Sequence, residues 1–397
     1  MPMANTLNHT VQHGSRLPQL DALRGVAALL ILVHHALEML GPLNLIDGTL
    51  TGRATHTLLN FSPFRILEFG RGPVLFFFVL SGYVLTRALL KSGSPGLLAF
   101  AAQRCVRLLI PVTASVLLSY TLYYLIADPA LLQGPLANHT LTFWSKPPDF
   151  VAVLREVALL QTNQDPTRLN NVLWSLAHEW RLTLLLPLVL LFRDRIWLLL
   201  SLAMVVTGFG AMFSAGENAV MLGPELHGSI VATGYFALSI ASGAALALAG
   251  QVPVLSREQR VAACIGIIML VGMTSDLAIY LASVLLIVLA QQPGRFQQVL
   301  RWNPLLWLGQ VSFSLYLIHS LIMVAWLCLF YGMLPIWAIA VSSVLLALLA
   351  TPVFFRFVER PSRDLARLVE RRLVRALPGK ITAATTPLKT VLHTRLE

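Results

Sequence analysis

The stretch Leu20–Leu40 constrains what this chain can fold into more than any other part of its sequence. It is apolar enough to enter a bilayer, yet it carries five ionisable residues: Asp21, Arg24, His34, His35 and Glu38. Ionisable groups inside a spanning segment are costly and mark functional sites, unless they lie near a helix end and reach the interface. We therefore interpret the stretch as a spanning helix that carries part of a functional site.

Helical geometry relates these side chains to one another. Arg24 and His35 are separated by three helical turns plus about 20°, so they share a face and lie about 16 Å apart along the axis. Glu38 follows His34 by four residues and His35 by three, so its carboxylate can contact either imidazole. A position at the membrane interface would explain Asp21, Arg24 and Glu38. It does not explain the two histidines.

The composition indicates a polytopic membrane protein. Of the 397 residues, 56% are hydrophobic and only 12% are charged, which is about half the charged fraction of a soluble domain. The three cysteines, Cys105, Cys264 and Cys328, lie in or beside apolar segments without the spacing of metal ligands. They indicate neither a disulfide framework nor a zinc site, and we predict no metal.

A helix needs about 20 predominantly apolar residues to span a bilayer, and the hydropathy pattern predicts about ten such helices. Their approximate bounds are 20–40, 73–92, 108–127, 172–192, 196–214, 228–249, 261–275, 277–290, 305–330 and 335–357. Length alone allows the seventh and eighth to form either a hairpin or one long helix. We interpret the first as a retained span, because no clean small-residue cleavage site follows it.

The distribution of positive charge favours ten spans with both termini in the cytoplasm. This topology puts most of the 29 Lys and Arg residues on the cytoplasmic side, as the positive-inside rule requires. The net charge of +11 is then a topology signal, and nucleic-acid binding is excluded. We divide the chain into a cytoplasmic tail 1–19, a transmembrane domain 20–361 and a basic cytoplasmic tail 362–397. Segment 359–377 predicts an amphipathic helix lying on anionic lipids, and its simplest role is that of a topology anchor.

Polar residues outside the first span fall into two groups. Arg104 and Arg107, before the third predicted span, share a helix face and can bind a phosphate together, although positive-inside charge alone would also explain them. The other group consists of His178 and Glu179 in the fourth span and Ser314, Tyr316 and His319 in the ninth. Its imidazoles and its carboxylate gather toward the outer half of the membrane. Glu179 lies at a depth similar to that of His35, so it can orient that imidazole. A structural polar pair between two helices is the alternative.

This polarity is what an anionic donor from the cytoplasm and an acceptor from outside would require. The predicted outer loops, 41–72 and 128–171, are long enough to cover an outer mouth. In the second span, Ser81 and Gly82 suit close helix packing.

Six motifs in order resemble those of the membrane acyltransferase-3 family. They are LDALRG with ten residues between Arg24 and His35, FFVLSGY at 77–83, RCVRLLIP at 104–111, WSLAHEW at 174–180, SFSLYLIH at 312–319 and VERP at 358–361. Each motif is weak by itself, but their order and spacing are specific. The doublet of His34 and His35 leaves open which histidine is catalytic, and the spacing favours His35. We expect no additional soluble hydrolase-like domain of the kind that some members carry.

The resemblance implies an enzyme that transfers an acyl group, usually acetyl, from acyl-CoA to a hydroxyl of a glycan or glycolipid at the bacterial cytoplasmic membrane. His35 would be the base or would carry the acyl group, and Glu179 or Glu38 would orient it. Arg104 and Arg107 would hold the CoA phosphates. Arg24 would contact the donor or pair with Asp21. Ser314, Tyr316 and His319 would position the acceptor or stabilise the thioester oxyanion, and His178 would also help to position the acceptor.

Two other functions remain open from the sequence. A proton-coupled transporter or glycan flippase would also need intramembrane His, Glu and Arg, although inverted repeats, which would favour it, are not evident. An acyltransferase that acts on a small macrolide-like acceptor or a lipid-linked oligosaccharide is the second. The oligomeric state is left open.

Overall fold

The described residues of this computed structural model are 17–40, 70–92, 97–134, 136, 143–144, 146–162, 168–213, 222, 225–273 and 275–376. They form fifteen α-helices: α1 Pro18–Leu40, α2 Arg71–Ser92, α3 Leu97–Ile126, α4 Pro129–Gln133, α5 Phe150–Val157, α6 Leu173–Leu184, α7 Ile196–Phe213, α8 Leu226–Tyr235, α9 Ala237–Leu248, α10 Arg257–Gly272, α11 Asp276–Ala290, α12 Arg295–Leu300, α13 Asn303–Phe330, α14 Ile336–Phe354 and α15 Arg360–Ala376. A 3-10 helix, Leu186–Phe192, follows α6, and one π-helical turn, Phe355–Glu359, joins α14 to α15. Within these ranges the only β-type pairing is an isolated bridge between Tyr331 and Leu334.

The prediction of an all-helical integral membrane protein is confirmed. Seven segments are long and apolar enough to cross a membrane, and an eighth is added when α6 and the 3-10 helix are taken as one bent span. Helix α11 is apolar but shorter. The predicted count of ten spans and the cytoplasmic termini stay predictions. Helices α10 and α11 are separate and pack against each other, so the hairpin interpretation is confirmed.

Two predicted spans differ from the observed helices, and each contains a proline. Helix α3 begins at Leu97 rather than near residue 108, and Pro111 lies inside it. Arg104 and Arg107 are therefore inside a helix of 30 residues rather than in a segment before it. The predicted span 172–192 bends by 45° where α6 ends. Pro187 follows this break, and proline cannot donate the backbone hydrogen bond that would continue the helix.

Glycine contacts bring two pairs of helices together. Helices α1 and α13 run in the same direction, and a Cβ on Gly25 or on Gly309 would collide with the backbone of the opposite helix. Helices α2 and α9 touch in the same way through Gly82 and Gly243. Small residues permit this close approach of helix backbones in membranes. The predicted role of Gly82 in close packing is confirmed.

The segment before α6 enters the helical bundle instead of staying at its surface. Leu169 and Asn170 are buried, and Asn170 Nδ2 donates a hydrogen bond to the carbonyl of Leu317 on α13 (2.9 Å). Helix α6 therefore begins inside the bundle. Most of the predicted loop 41–72, and the parts of the tails before residue 17 and after residue 376, lie outside the described residues.

The amphipathic helix predicted near the C-terminal end is present as α15, but it does not lie only against lipid. Ser362 and Ala366 are buried, because one face of α15 packs on α3. The predicted domain divisions stay predictions, and the division between 361 and 362 falls inside this helix.

Candidate active site

A cavity of about 420 Å³ lies among α1, α2, α3, α6, α13, the π-helical turn and α15. This volume is typical of small-molecule sites. Its charged lining residues are Asp21, Arg24, Arg104, Arg107, Glu179, Glu359, Arg363 and Arg367. We call this side of the bundle the arginine end. The opposite side, which carries His35 and His319, is called the histidine end.

Most of the charges at the arginine end have partners. Arg24 Nη1 lies 3.5 Å from Asp21 Oδ1. Arg104 donates to Thr183 Oγ1 (3.0 Å) and lies 3.7 Å from Glu179 Oε1. Arg107, in contrast, lines the cavity with no hydrogen bond or ion pair from its side chain to any described residue. The predicted common face of Arg104 and Arg107 is confirmed, since both side chains line one cavity.

Glu179 is placed away from His35. Ser81 Oγ donates a 2.7 Å hydrogen bond to Glu179 Oε1, and Arg104 is its nearby cation. The prediction that Glu179 reaches the imidazole assumed that the fourth span begins at the membrane surface. Because the chain before α6 is already buried, Glu179 lies deeper than that count allowed.

The histidine end contains a cluster of imidazoles and one carboxylate. His35 Nδ1 lies 2.8 Å from Glu38 Oε2, and His34 Nε2 lies 3.5 Å from Glu38 Oε1. The rings of His35 and His319 are 5.2 Å apart between centroids. Of the two carboxylates predicted to orient His35, Glu38 is therefore the one in contact. His34 packs its ring against Gly70, where a Cβ would collide with it.

The hydrogen bonds of this cluster define which nitrogen of each ring carries a proton. A carboxylate only accepts, so His35 Nδ1 donates to Glu38. In the neutral imidazole, Nε2 then keeps a lone pair. His319 Nδ1 lies 3.0 Å from the carbonyl of Leu315, to which it donates. Its Nε2 is buried without a hydrogen-bond partner among the described residues. The chemistry available here is acceptance of a proton by an oriented imidazole.

Tyr316 connects the two ends. It lines the cavity, and its ring lies 6.0 Å from that of His319 on the next turn of α13 and 6.1 Å from Phe77. Its hydroxyl donates to the carbonyl of Val172 (3.0 Å) and lies 2.6 Å from Ser175 Oγ. On α13, the last residue that lines the cavity is therefore Tyr316, one turn before His319.

Two residues predicted to position the acceptor are engaged elsewhere. Ser314 Oγ donates a 2.6 Å hydrogen bond to Glu359, which fixes the π-helical turn to α13. His178 is buried, with Nδ1 2.9 Å from Thr233 Oγ1. Neither residue lines the cavity, because both point into contacts between helices.

Sequence reasoning missed Arg363 and Arg367 as cavity residues. They belong to a segment that we interpreted as lipid-facing. Glu359 was quoted only as part of a motif, although a carboxylate at the end of an apolar span is a usable signal. His34, His35 and Glu38 also place possible ligand atoms within 4.8 Å of one another. Measuring the metal content of the protein would test the prediction that it binds no metal, and these three residues are the place where a metal would bind.

The fold and the cavity define a polytopic membrane protein with an arginine-lined cavity close to a cluster of histidines. A family model described as "Acyltransferase domain" matches residues 17–356, so the chain belongs to the acyltransferase-3 family of membrane enzymes. The match confirms the predicted family and shows that the chain carries an acyltransferase domain.

The chain is also similar to the peptidoglycan O-acetyltransferase OatA of Listeria monocytogenes. The two are 26% identical over 376 residues, which cover 87% of this chain and 56% of that protein. The chain thus spans about half the length of this curated relative. No solved structure matches it.

Proposed function

We propose that this protein transfers an acyl group, acetyl in the first instance, from acyl-CoA to a hydroxyl of a carbohydrate or glycoconjugate. The carbohydrate acceptor is supported by the name of the listerial relative, a peptidoglycan O-acetyltransferase. The observation that carries the proposal is a cationic cavity in which Arg107 makes no hydrogen bond or ion pair to a described residue. This cavity reaches Tyr316, one helical turn from His319, whose ring packs on His35. The membrane concerned would be the bacterial cytoplasmic membrane.

In the proposed reaction, His35 Nε2 removes the proton from the acceptor hydroxyl as the oxygen attacks the thioester carbon. The carbon–sulfur bond then breaks, and the imidazolium returns the proton to the thiolate, which gives an ester and free CoA. Glu38 stabilises the imidazolium through the bond to Nδ1 and holds the productive tautomer, as a carboxylate does in catalytic triads. A positioned histidine of this kind contributes about 10²–10⁴ in rate.

The donor would lie with its phosphates among the arginines and its thioester toward Tyr316. Arg104 and Arg107 are three residues apart in one helix, which suits bidentate contacts with phosphate oxygens. Arg24 lies nearer the arginine end of α1 than His35 does, and it lines the same cavity as Arg104 and Arg107. Its pairing with Asp21 gives it a fixed position against the donor.

The first test is transfer of radiolabelled acetyl from acetyl-CoA to a β-1,4-linked N-acetylglucosamine oligomer by the protein in nanodiscs. Calorimetry of acetyl-CoA binding accompanies it. We expect binding and labelled product with the wild type. A wild type that neither binds acetyl-CoA nor releases CoA would overturn the proposal. Binding with release of CoA but no labelled sugar would redirect the search to another acceptor.

We expect Arg107→Gln to raise the Kd for acetyl-CoA about tenfold. A tenfold change corresponds to about 1.4 kcal/mol, the lower end of what a hydrogen bond to a charged group contributes. The matched control is Arg301→Gln, which removes the same charge from an exposed arginine outside the cavity. Equal Kd values for the two variants would remove Arg107 from the donor site.

A further inference from the structure

Helix α15 is attached to α3 next to the two arginines of the cavity. Ser362 Oγ donates hydrogen bonds to the carbonyls of Val106 (3.0 Å) and Arg107 (3.3 Å). The second carbonyl is available because Pro111, four residues further on, has no N–H to donate to it. A proline in α3 therefore provides the acceptor that fixes α15 in place.

This attachment directs two arginines of α15 into the cavity. Both Arg363 and Arg367 line it, together with Arg104 and Arg107 of α3. Arg363 Nη1 lies 3.6 Å from Glu359 Oε1. Ser314 fixes the position of Glu359 through a hydrogen bond, and Glu359 in turn fixes the side chain of Arg363.

The exposure of the arginine side chains orders them along the cavity. Arg367 is 65% exposed, Arg363 is 30% exposed and Arg104 is 9% exposed. The arginines of α15 therefore lie at the mouth, and those of α3 lie further inside. A ligand with anionic groups at two depths would contact both sets.

The balance of charge also points to an anionic ligand. The cavity lining holds five arginines and three carboxylates. Each carboxylate already has a cation within ion-pair distance: Asp21 has Arg24, Glu179 has Arg104 and Glu359 has Arg363. Arg107 has no carboxylate within ion-pair distance among the described residues. Within the same residues, Arg367 pairs only with Asp364, an exposed residue outside the lining, so two positive charges are in excess.

We propose that Arg363 and Arg367 bind the phosphate group on the ribose of the donor, while Arg104 and Arg107 bind its pyrophosphate. This inference rests on the proposed function. CoA carries a 3′-phosphate at the nucleotide end and a pyrophosphate between the nucleotide and the pantetheine arm. Its phosphates therefore lie at two depths when the thioester points toward Tyr316. Helix α15 is then a specificity element that selects CoA thioesters over donors without the ribose phosphate.

The test compares binding of acetyl-CoA and 3′-dephospho-acetyl-CoA to the whole protein in nanodiscs. We expect the wild type to bind acetyl-CoA at least tenfold more tightly. The double variant Arg363→Gln/Arg367→Gln should lose this discrimination, because its Kd for acetyl-CoA rises to that for the dephosphorylated donor. Its Kd for 3′-dephospho-acetyl-CoA should stay within twofold of the wild-type value. The matched control, Arg371→Gln/Arg372→Gln, removes two exposed arginines of the same helix outside the cavity lining and should keep full discrimination.

Three outcomes would overturn the inference. Discrimination that persists in the double variant would show that α15 does not contact the ribose phosphate. An equal loss of affinity for both donors would indicate that the substitutions act through the structure. In that case the variant Arg363→Lys/Arg367→Lys, which keeps both charges, would fail to restore discrimination. A wild type that binds neither donor would refute the proposed function as well, so the two failures are distinguishable.

Discussion

Replacing His35 with alanine is expected to lower the rate of acyl transfer by about 10²–10⁴, the contribution of a positioned general base. The substitution removes the imidazole whose Nδ1 is bound to Glu38 and whose ring lies beside His319. Binding of acetyl-CoA should be unchanged, because His35 does not line the cavity. The measurement is the initial rate of labelled product at saturating acetyl-CoA, with calorimetry for the Kd.

His34→Ala and His227→Ala complete this experiment. His34 shares Glu38 with His35, so a loss of transfer in His34→Ala with normal transfer in His35→Ala would assign the base to the other member of the doublet. His227 is a surface residue whose side chain is 80% exposed, and its substitution should leave the rate unchanged. Normal transfer in both His34→Ala and His35→Ala would move the base to His319.

The second large effect is expected from Gly309→Leu. A Cβ at this position would collide with the backbone of Asp21 and Ala22 on α1, so α1 and α13 would have to separate. Overpacking of a core costs about 1–3 kcal/mol, and here the obstacle is backbone, which cannot move aside as a side chain does. We expect a lower apparent Tm in nanodiscs and a loss of transfer, since the contact of His35 with His319 depends on the same helix pair.

Gly208→Leu is the matched control for this substitution. A Cβ on Gly208 meets nothing within 4 Å, so the added side chain enters open space on α7. If both variants lowered the Tm equally, the close contact of α1 and α13 would not be a determinant of stability.

The sequence predicted the helical class and most helix positions, because apolar windows of sufficient length are a strong signal. It also singled out Arg24, His35 and His319, because the free-energy cost of placing an ionisable side chain in a membrane can be recognised from the sequence alone. The pairing of α1 with α13 was not predictable, because no local pattern states which helix faces which. Gly25 lies in the LDALRG motif and Gly309 lies just before the SFSLYLIH motif, yet a glycine does not specify its partner.

Two errors at the site have a common cause. The depth of Glu179 was counted from an assumed surface, but buried Leu169 and Asn170 bring the chain into the bundle before α6 begins. Helix α15 was assigned to lipid from its amphipathic pattern. A helix that packs a narrow face on protein, as α15 does through Ser362 and Ala366, has the same amphipathic pattern as a helix that lies on lipid. In both cases the missing information was a contact between segments distant in sequence.

The contact between α1 and α13 has a consequence for biogenesis. The two helices lie near opposite ends of the described chain, and domains are made from the N-terminus onward at about 5–20 residues per second. Helix α1 thus enters the membrane with Arg24, His35 and Glu38 long before the ribosome has made the helix that shields them. In the interval these side chains depend on the insertion machinery, on chaperones or on other early helices. The proposed reactive centre is consequently among the last parts of the molecule to assemble. A nascent chain that stalls before α13 holds the proposed base, His35, without the cavity that would bring the donor to it.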